Sequence, residues 1–394
     1  MDKKTIKDID VYDKKVLVRV DFNVPVIDGK ITDDNRIVEA LPTIKYLLEK
    51  GASVILMSHL GRPEGKVNSK YSLKVVAKRL AELLPETKVI MAKDVTGKDA
   101  QEKAKNLKMG QVLLLENLRF DAREEENDKS FCKELAKLGE VYVNDAFGTA
   151  HRKHASTYGV AKLLPNAIGF LIEKELDIIV GTINNPKRPF VGILGGAKVK
   201  DKIGIIDSLL DNVDTLIIGG GMAYTFLSAL GYKIGNSLFD ETNVDEAKRL
   251  MKKAKEKKVN FLLPIDFVET TSLDDIDGAK YTKDQNIDDD YMGVDIGKKT
   301  IKLFKKAIKK AKTVIWNGPV GVFEKKEFAE GTYSIAKALT KVKGTTIIGG
   351  GDSASAVINM GLANKMTHIS TGGGASLKLF EGKVLPGVDV IDNK

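Results

Sequence analysis

Short, almost continuously apolar runs rich in β-branched residues recur along this chain, and they constrain its fold more than any other feature. In the first half they are Val16–Val20, Val54–Ser58, Val112–Leu115 and Val141–Val143. In the second half they are Phe190–Leu194, Leu216–Ile218, Phe261–Ile265, Thr313–Trp316, Thr345–Ile348 and His368–Ile369. Runs without polar alternation are buried on both faces, as in a parallel sheet covered by helices. The stretches between them carry the matching helical period. Ile37, Val38, Leu41, Ile44, Leu47 and Leu48 fall on one face, and Gly51 is placed to end that helix. The expected fold is α/β, with two doubly wound parallel-sheet (Rossmann-like) domains joined by a hinge helix.

At 394 residues the chain exceeds the size at which a single core usually keeps growing, which also favours two domains. The expected bounds are 1–170 for the first, 171–188 for an interdomain helix and hinge, and 189–377 for the second. Within the junction, LIEKELDIIV reads as an amphipathic helix and GTINNPKRP as a turn-rich segment.

Several function classes are disfavoured by what the chain lacks. A lone Cys132 excludes an internal disulfide, and His59, His151, His154 and His368 are too scattered for an evident zinc site. The polar opening MDKKTIKDIDVYDKK, interrupted by acidic residues, does not read as a targeting peptide, and every apolar run is too short to span a bilayer. A cytoplasmic protein without a membrane partner is expected. The formal net charge of +9 is spread as single lysines and short pairs, of which KKAIKKAK at 305–312 is the densest. That is the pattern of solvated helix faces, without the interleaved aromatics a nucleic-acid platform needs.

In open α/β sheets ligands bind at the carboxyl ends of strands, so the residues just past each run matter most. In the first half these are Asp21-Phe22-Asn23, Ser58-His59-Leu60-Gly61-Arg62, Glu116-Asn117-Leu118-Arg119 and Asn144-Asp145, then His151-Arg152. Arg36 opens the helix that follows Thr32-Asp33-Asp34. Each has an ordinary reading alone: Arg119 as a surface partner of Glu116, His59 as a structural histidine, Asp21 as a turn residue. Only nine of the 63 basic residues are arginine, and eight lie at or before Arg188. Guanidinium grips phosphate or carboxylate through two bonds where lysine cannot. The set therefore suits a small ligand bearing both groups, with Asp21 and Asn23 on its hydroxyl.

The second half places glycine clusters after strands: Gly195-Gly196, Gly219-Gly220-Gly221, Gly349-Gly350-Gly351 and Gly372-Gly373-Gly374. Glycine admits close backbone approach and turns N–H groups toward phosphate, although tight turns alone would explain one or two clusters. Lys198 and Lys202, four apart, are expected on one face of a first helical turn, against the dipole unless an anion lies between them. Asp352 is either a helix cap or a Mg²⁺ partner beside nucleotide phosphates, and Glu324 is a candidate acceptor for ribose hydroxyls. No GxxxxGK[ST] occurs and no GxGxxG follows a strand, which argues against P-loop enzymes, protein kinases and standard dinucleotide dehydrogenases.

In this order, Val18-Arg19-Val20-Asp21-Phe22-Asn23-Val24-Pro25, Ser58-His59-Leu60-Gly61-Arg62-Pro63, Glu116-Asn117-Leu118-Arg119-Phe120, Asn144-Asp145-Ala146-Phe147 and Ala150-His151-Arg152 resemble the phosphoglycerate kinase family. So do Gly195-Gly196-Ala197-Lys198, Trp316-Asn317-Gly318-Pro319, Gly349-Gly350-Gly351-Asp352 and Ser370-Thr371-Gly372-Gly373-Gly374. The resemblance implies reversible phosphoryl transfer between ATP and the carboxylate of 3-phosphoglycerate, giving 1,3-bisphosphoglycerate and ADP. It implies substrate contacts from Asp21, Phe22, Asn23, Arg36, His59, Leu60, Gly61, Arg62, Arg119 and Arg152. It implies nucleotide contacts from Lys198, Lys202, Gly219, Gly220, Gly293, Asn317, Glu324, Gly350, Gly351, Asp352 and Ser353, with Asp352 on Mg²⁺. Arg36 and Lys198 are the expected catalytic pair, in a monomer whose tail, 378–394, returns to the first domain. Lys153, Lys378 and Lys200 depart from the family pattern. The alternatives are a kinase of another carboxylate metabolite, or a non-catalytic nucleotide- or RNA-binding protein. A carboxylate acceptor is already ionised, so no general base is needed, and substrates held on different domains would require closure.

Overall fold

The expected alternation of strand and helix appears in the computed structural model, which describes residues 2–394, as two α/β units: 2–177 with Val384–Lys394, and 178–383. In the first unit six parallel strands run in the order Val89–Met91, Val112–Leu114, Ser53–Met57, Lys15–Arg19, Val141–Asn144 and Asn166–Ile168. In the second the order is Asn260–Leu262, Thr215–Ile218, Phe190–Leu194, Thr313–Asn317, Thr345–Gly349 and His368–Ile369, again all parallel.

Burial explains the apolar runs. All five residues of Ser53–Met57 and of Phe190–Leu194 are buried. In the first unit Val16, Val18, Val54, Leu56 and Val143 pack with Ile37, Ile44 and Leu47 of the helix Asn35–Glu49. In the second, Val191, Ile193, Val314, Trp316 and Ile348 pack with Phe304, Ile308, Ile335 and Leu339. Each such large apolar side chain contributes roughly 1.5–3 kcal/mol on burial. The helix Asn35–Glu49 ends as its sequence predicts. Gly51 has a φ of +79°, and the amides of Gly51 and Ala52 fold back onto the carbonyls of Leu48 and Leu47.

Several local expectations are corrected. The run Phe261–Ile265 leaves the sheet after Leu262, because the chain turns there toward a separate antiparallel sheet of Phe267–Thr270, Lys280–Tyr281 and Met292–Ile296. The helix starting at Phe170 continues through Gly181-Thr182-Ile183 to Asn184, where a turn-rich segment was expected. It stops one residue short of the Asn185-Pro186 step, which disfavours helical backbone.

Both sheets reverse their winding at one place. In the first, the chain moves from Lys15–Arg19 to one side through Ser53–Met57, then returns to the other through Val141–Asn144. In the second, the reversal lies between Phe190–Leu194 and Thr313–Asn317. A crevice opens at the carboxyl ends of strands at such a switch point, and the candidate site residues cluster at both.

Candidate functional site

The first crevice is built around buried guanidinium groups. Arg19 is the last residue of its strand and only 1% exposed. It is tolerated there because its Nε donates to Ser156 Oγ at 2.8 Å and its Nη1 donates to the Val20 carbonyl. Ser156 Oγ donates in turn to buried Glu124 at 2.5 Å. Burial raises the Glu124 pKa, and the Arg19 charge opposes that rise. Arg19 was read only as part of a strand motif; a cation inside an otherwise apolar run was the signal that it needed partners.

Arg19 Nη2 lies 3.2 Å from His59 Nδ1. Guanidinium only donates, so His59 Nδ1 accepts and its Nε2 carries the proton. Burial pushes the His59 pKa well below its ordinary value, reinforced by Arg19, Arg119, Arg36 and Arg152. His59 is therefore a neutral donor, and the Asp21 Oδ1 atom 4.0 Å away is not an ion-pair partner. His154 is held down to about 4 by burial and by Arg119, Arg152 and Arg19.

Around this centre Arg36 Nη1 donates to Asp21 Oδ2 at 2.7 Å. Arg119 is buried, donates to the Gly61 carbonyl at 2.9 Å and pairs with Glu125 at 3.3 Å. The surface pair of Arg119 with Glu116 is not formed. Glu116 instead accepts from Ser72 Oγ and from the amides of Leu73 and Asn117. Asn23 Oδ1 accepts from the Gly61 amide at 2.9 Å. Arg152 is half-buried and donates to His151 Nε2 at 3.3 Å. The side chains of Phe22 and Leu60 are in the core, so these two residues offer backbone only. Arg62 is exposed and has no hydrogen-bond or ion-pair partner among the described residues. Asn117, unassigned from sequence, makes four hydrogen bonds that fix the loop: it accepts from the amides of Leu60 and Arg119 and donates to the carbonyls of Leu60 and Tyr71.

The second crevice holds a cavity of about 250 Å³ lined by Gly196, Ala197, Gly220, Gly221, Gly293 and Asp352, with Glu324, exposed, at its edge. Tyr224, Leu238 and Val322 complete its apolar wall. None of these three was legible locally, because the helix Met222–Ala229 and the loops at 238 and 322 meet only in the folded unit. Glycine serves close packing more than amide donation. The Gly196 amide is spent on the Pro319 carbonyl at 3.0 Å and the Gly220 amide on the Val320 carbonyl at 3.1 Å. A Cβ on Gly219 would lie 2.6 Å from Val320 Cγ1, which keeps Gly219 against the wall rather than in the cavity.

Free donors come instead from the helix Gly351–Asn359, whose opening amides at Gly351, Asp352 and Ser353 have no carbonyl one turn earlier to bond. The Ser353 hydroxyl is committed, accepting from the Gly318 amide at 2.7 Å and donating to the Gly349 carbonyl at 3.1 Å. Lys202 Nζ donates to Asn317 Oδ1, and burial lowers the Lys202 pKa to about 8 against the attraction of Asp201 and Asp352. Asn317 Nδ2 is buried without a hydrogen-bond partner among the described residues. A Cβ on Gly350, which has a φ of +88°, would come within 2.9 Å of that atom. Lys198 is exposed and extended, ahead of a 3₁₀ turn over Val199–Lys202, and the α-helix begins only at Ile203. The two lysines thus do not share a first α-helical turn. The chain bends at Gly196, which has a φ of +112°, and Ala197, and Lys198 is extended, which delays the helix.

Among the described residues no group of three or more His, Cys, Asp or Glu side chains is close enough to hold a metal by itself. The carboxylates on the cavity are Asp352 and Glu324. One carboxylate beside a helix N-terminus with free amides is a donor set that would suit a nucleotide-borne Mg²⁺.

A family model described as phosphoglycerate kinase matches residues 6–383. The chain is 56% identical over 394 residues to the phosphoglycerate kinase of Clostridium kluyveri, covering all of this chain and 99% of the relative. It is 58% identical over 395 aligned positions to that of Clostridium botulinum, with the same coverage. The solved phosphoglycerate kinase of Coxiella burnetii superimposes with a TM-score of 0.87 at 39% identity, covering 98% of both chains.

Proposed function

Because the chain belongs to the phosphoglycerate kinase family, we propose that its two crevices divide that family's reaction between them, 3-phosphoglycerate on the first and ATP or ADP on the second. The chain is a glycolytic enzyme that moves a phosphoryl group reversibly between ATP and the carboxylate of 3-phosphoglycerate. Family membership favours this over a binding protein without turnover.

The observation that carries the assignment is the convergence of Arg19, Arg36, Arg119 and Arg152 on neutral His59. Arg19 is committed to fixing His59, and the other three guanidinium groups match a ligand with a phosphate and a carboxylate. Arg36, Arg119 and Arg152 face the anionic groups, Arg62 extends the basic rim, and His59 donates its Nε2 proton. Asp21 and Asn23 meet the hydroxyl, and Phe22, Leu60 and Gly61 supply backbone. Arg36 is also the group that steadies the phosphoryl oxygens during transfer.

In the second unit the amides of Gly351, Asp352 and Ser353, with Lys202 and Asn317, cradle the phosphates. Gly219, Gly220, Gly293 and Gly350 keep Cβ atoms out of the cavity walls, and Glu324 meets the ribose. Lys198, exposed and without a side-chain partner among the described residues, reaches the transferring group. Asp352 would hold Mg²⁺, which when bound neutralises phosphate charge. The acceptor arrives ionised, so catalysis rests on orientation and on cancelling charge at the phosphoryl oxygens. The two ligands must meet for transfer, and the helix Phe170–Asn184 is the proposed hinge. A monomer acting in the cytoplasm, with small molecules as its only partners, completes this reading.

The test is ATP-dependent turnover with 3-phosphoglycerate beside a panel of other carboxylic acids. Turnover confined to 3-phosphoglycerate supports the assignment. Equal rates with acids lacking the phosphate would remove it.

A further inference from the structure

On the second unit, at the end of the sheet opposite the nucleotide crevice, Lys305, Lys309, Lys312, Lys337, Lys341 and Lys343 line a depression of about 490 Å³. Its remaining lining is Ala311 and Ala338. It lies between the carboxyl-terminal turns of the helices Lys298–Lys310 and Glu330–Leu339 and the starts of the strands Thr313–Asn317 and Thr345–Gly349. Five residues at about 3.3 Å each separate this amino-terminal edge from the crevice by roughly 16 Å. The run at 305–312 suggested an ordinary solvated face; folding instead turns half of it into the wall of a concavity.

Three observations make this more than a solvated face. No acidic side chain lines it, although the sequence holds 54. None of the six lysines has a side-chain hydrogen bond or ion pair among the described residues, whereas other lysines of the unit find partners: Lys253 with Asp207 and Asp211, Lys280 with Asp288, Lys325 with Asp274. Lys305 and Lys309 stand four apart on the helix Lys298–Lys310, while Lys337 lies in the last turn of the helix Glu330–Leu339 and Lys341 in the turn just past it. Like charges at that spacing repel. The carbonyl ends of the two helices offset part of this repulsion, but they engage only the last turn of each, and Lys312, Lys341 and Lys343 lie beyond.

We propose that this depression is a second anion site that takes a short chain of linked phosphates. Six ammonium groups around one concavity match closely spaced charge without directional demand, which suits lysine as a point charge. The lining has no aromatic and no arginine, so it offers no stacking surface for a base. Its two alanines offer no anchor for a lipid chain.

The probe is inorganic tripolyphosphate, titrated calorimetrically onto the whole protein with the nucleotide crevice saturated by ADP. The site variant is Lys305→Gln, Lys309→Gln and Lys341→Gln together. The charge-matched control is Lys248→Gln, Lys252→Gln and Lys255→Gln on the helix Val244–Glu256. Thermal melts of both confirm folding, and turnover with 3-phosphoglycerate stays at the wild-type level. The site predicts binding that persists with ADP, weakens about tenfold or more in the site variant, and has a salt dependence lowered by about one for each lysine removed. The control retains wild-type affinity. The proposal is overturned by equal weakening in both variants, by complete competition from ADP, by no binding at about 0.15 M salt, or by tighter binding of a single-stranded oligonucleotide of equal charge.

Discussion

Arg36 Nη1 and Asp21 Oδ2 lie 2.7 Å apart, joining the first turn of the helix Asn35–Glu49 to the carboxyl end of the strand Lys15–Arg19. Asp21 is buried and Arg36 about one-third exposed, so the carboxylate holds one arm of the guanidinium while the other stays available. The arginine is aimed before any ligand arrives, and little ordering cost remains for the reaction.

Arg36→Ala is therefore expected to lower kcat by about 10²–10³, the range for removing one preorganised charge donor at a reacting centre. ADP affinity should stay within about twofold. Steady-state turnover with a parallel ADP titration checks this, and a matching loss of ADP affinity would remove Arg36 from the catalytic role.

Lys202 carries a pH dependence of known sign. Its pKa is lowered to about 8, chiefly by burial, so it is charged below that value and increasingly neutral above it. ADP affinity should be flat below about pH 8 and weaken above it by at most about tenfold per pH unit, because one cation is lost. Lys202→Gln should bind ADP weakly with no such break. A wild-type profile flat from pH 7 to 9.5 would contradict the contact.

Gly293 lies so close to Tyr224 that a Cβ would stand 2.1 Å from the phenol oxygen. Gly293→Ala must displace Tyr224 from the cavity wall, and ADP affinity should fall by about tenfold or more. Tyr224→Phe added to that variant should recover part of the loss by removing the clashing atom. Equilibrium titration of the three proteins decides it, with unchanged affinity in Gly293→Ala as the contrary result.

Asp145 accepts from the amides of Leu171 and Ile172 at the start of the helix Phe170–Asn184. Burial pushes its pKa from 3.8 up to about 7, against the pull of Thr43 and those amides. The native state then keeps a proton that the unfolded chain has released between about pH 4 and 7. This group's contribution to stability is present at low pH, declines across that window and is constant above it. Asp145→Asn keeps an acceptor for both amides but does not titrate. It should gain on the wild type by about 3 kcal/mol between pH 4.5 and 7.5, read from urea midpoints. A constant difference across that range would contradict the shift.

What the sequence made legible follows from where the physics is local. Unbroken apolar runs disclosed both buried sheets, and the rule that ligands gather past strand ends singles out Arg36, His59, Arg119 and Asp352 as candidates without coordinates. Relations made by folding could not be read this way. Arg19 looked like a strand residue because Ser156, which accepts its hydrogen bond, and Glu124, whose carboxyl group Ser156 engages, lie more than a hundred positions away. Tyr224 and Leu238 meet across loops with no shared motif. Lys198 and Lys202 fit a helical spacing that the extended backbone at Lys198 does not adopt. The depression lined by Lys305 and Lys341 brings together segments that each read as ordinary solvated surface.

The most direct measurement is a crossed calorimetric titration of two variants, Arg36→Ala with Arg119→Ala, and Lys202→Gln with Gly293→Ala, each against 3-phosphoglycerate and ADP. The first pair should lose 3-phosphoglycerate binding and keep ADP affinity within about twofold, and the second should do the reverse. Loss of both ligands in either variant, with folding intact by thermal melt, would contradict the separation of the two sites.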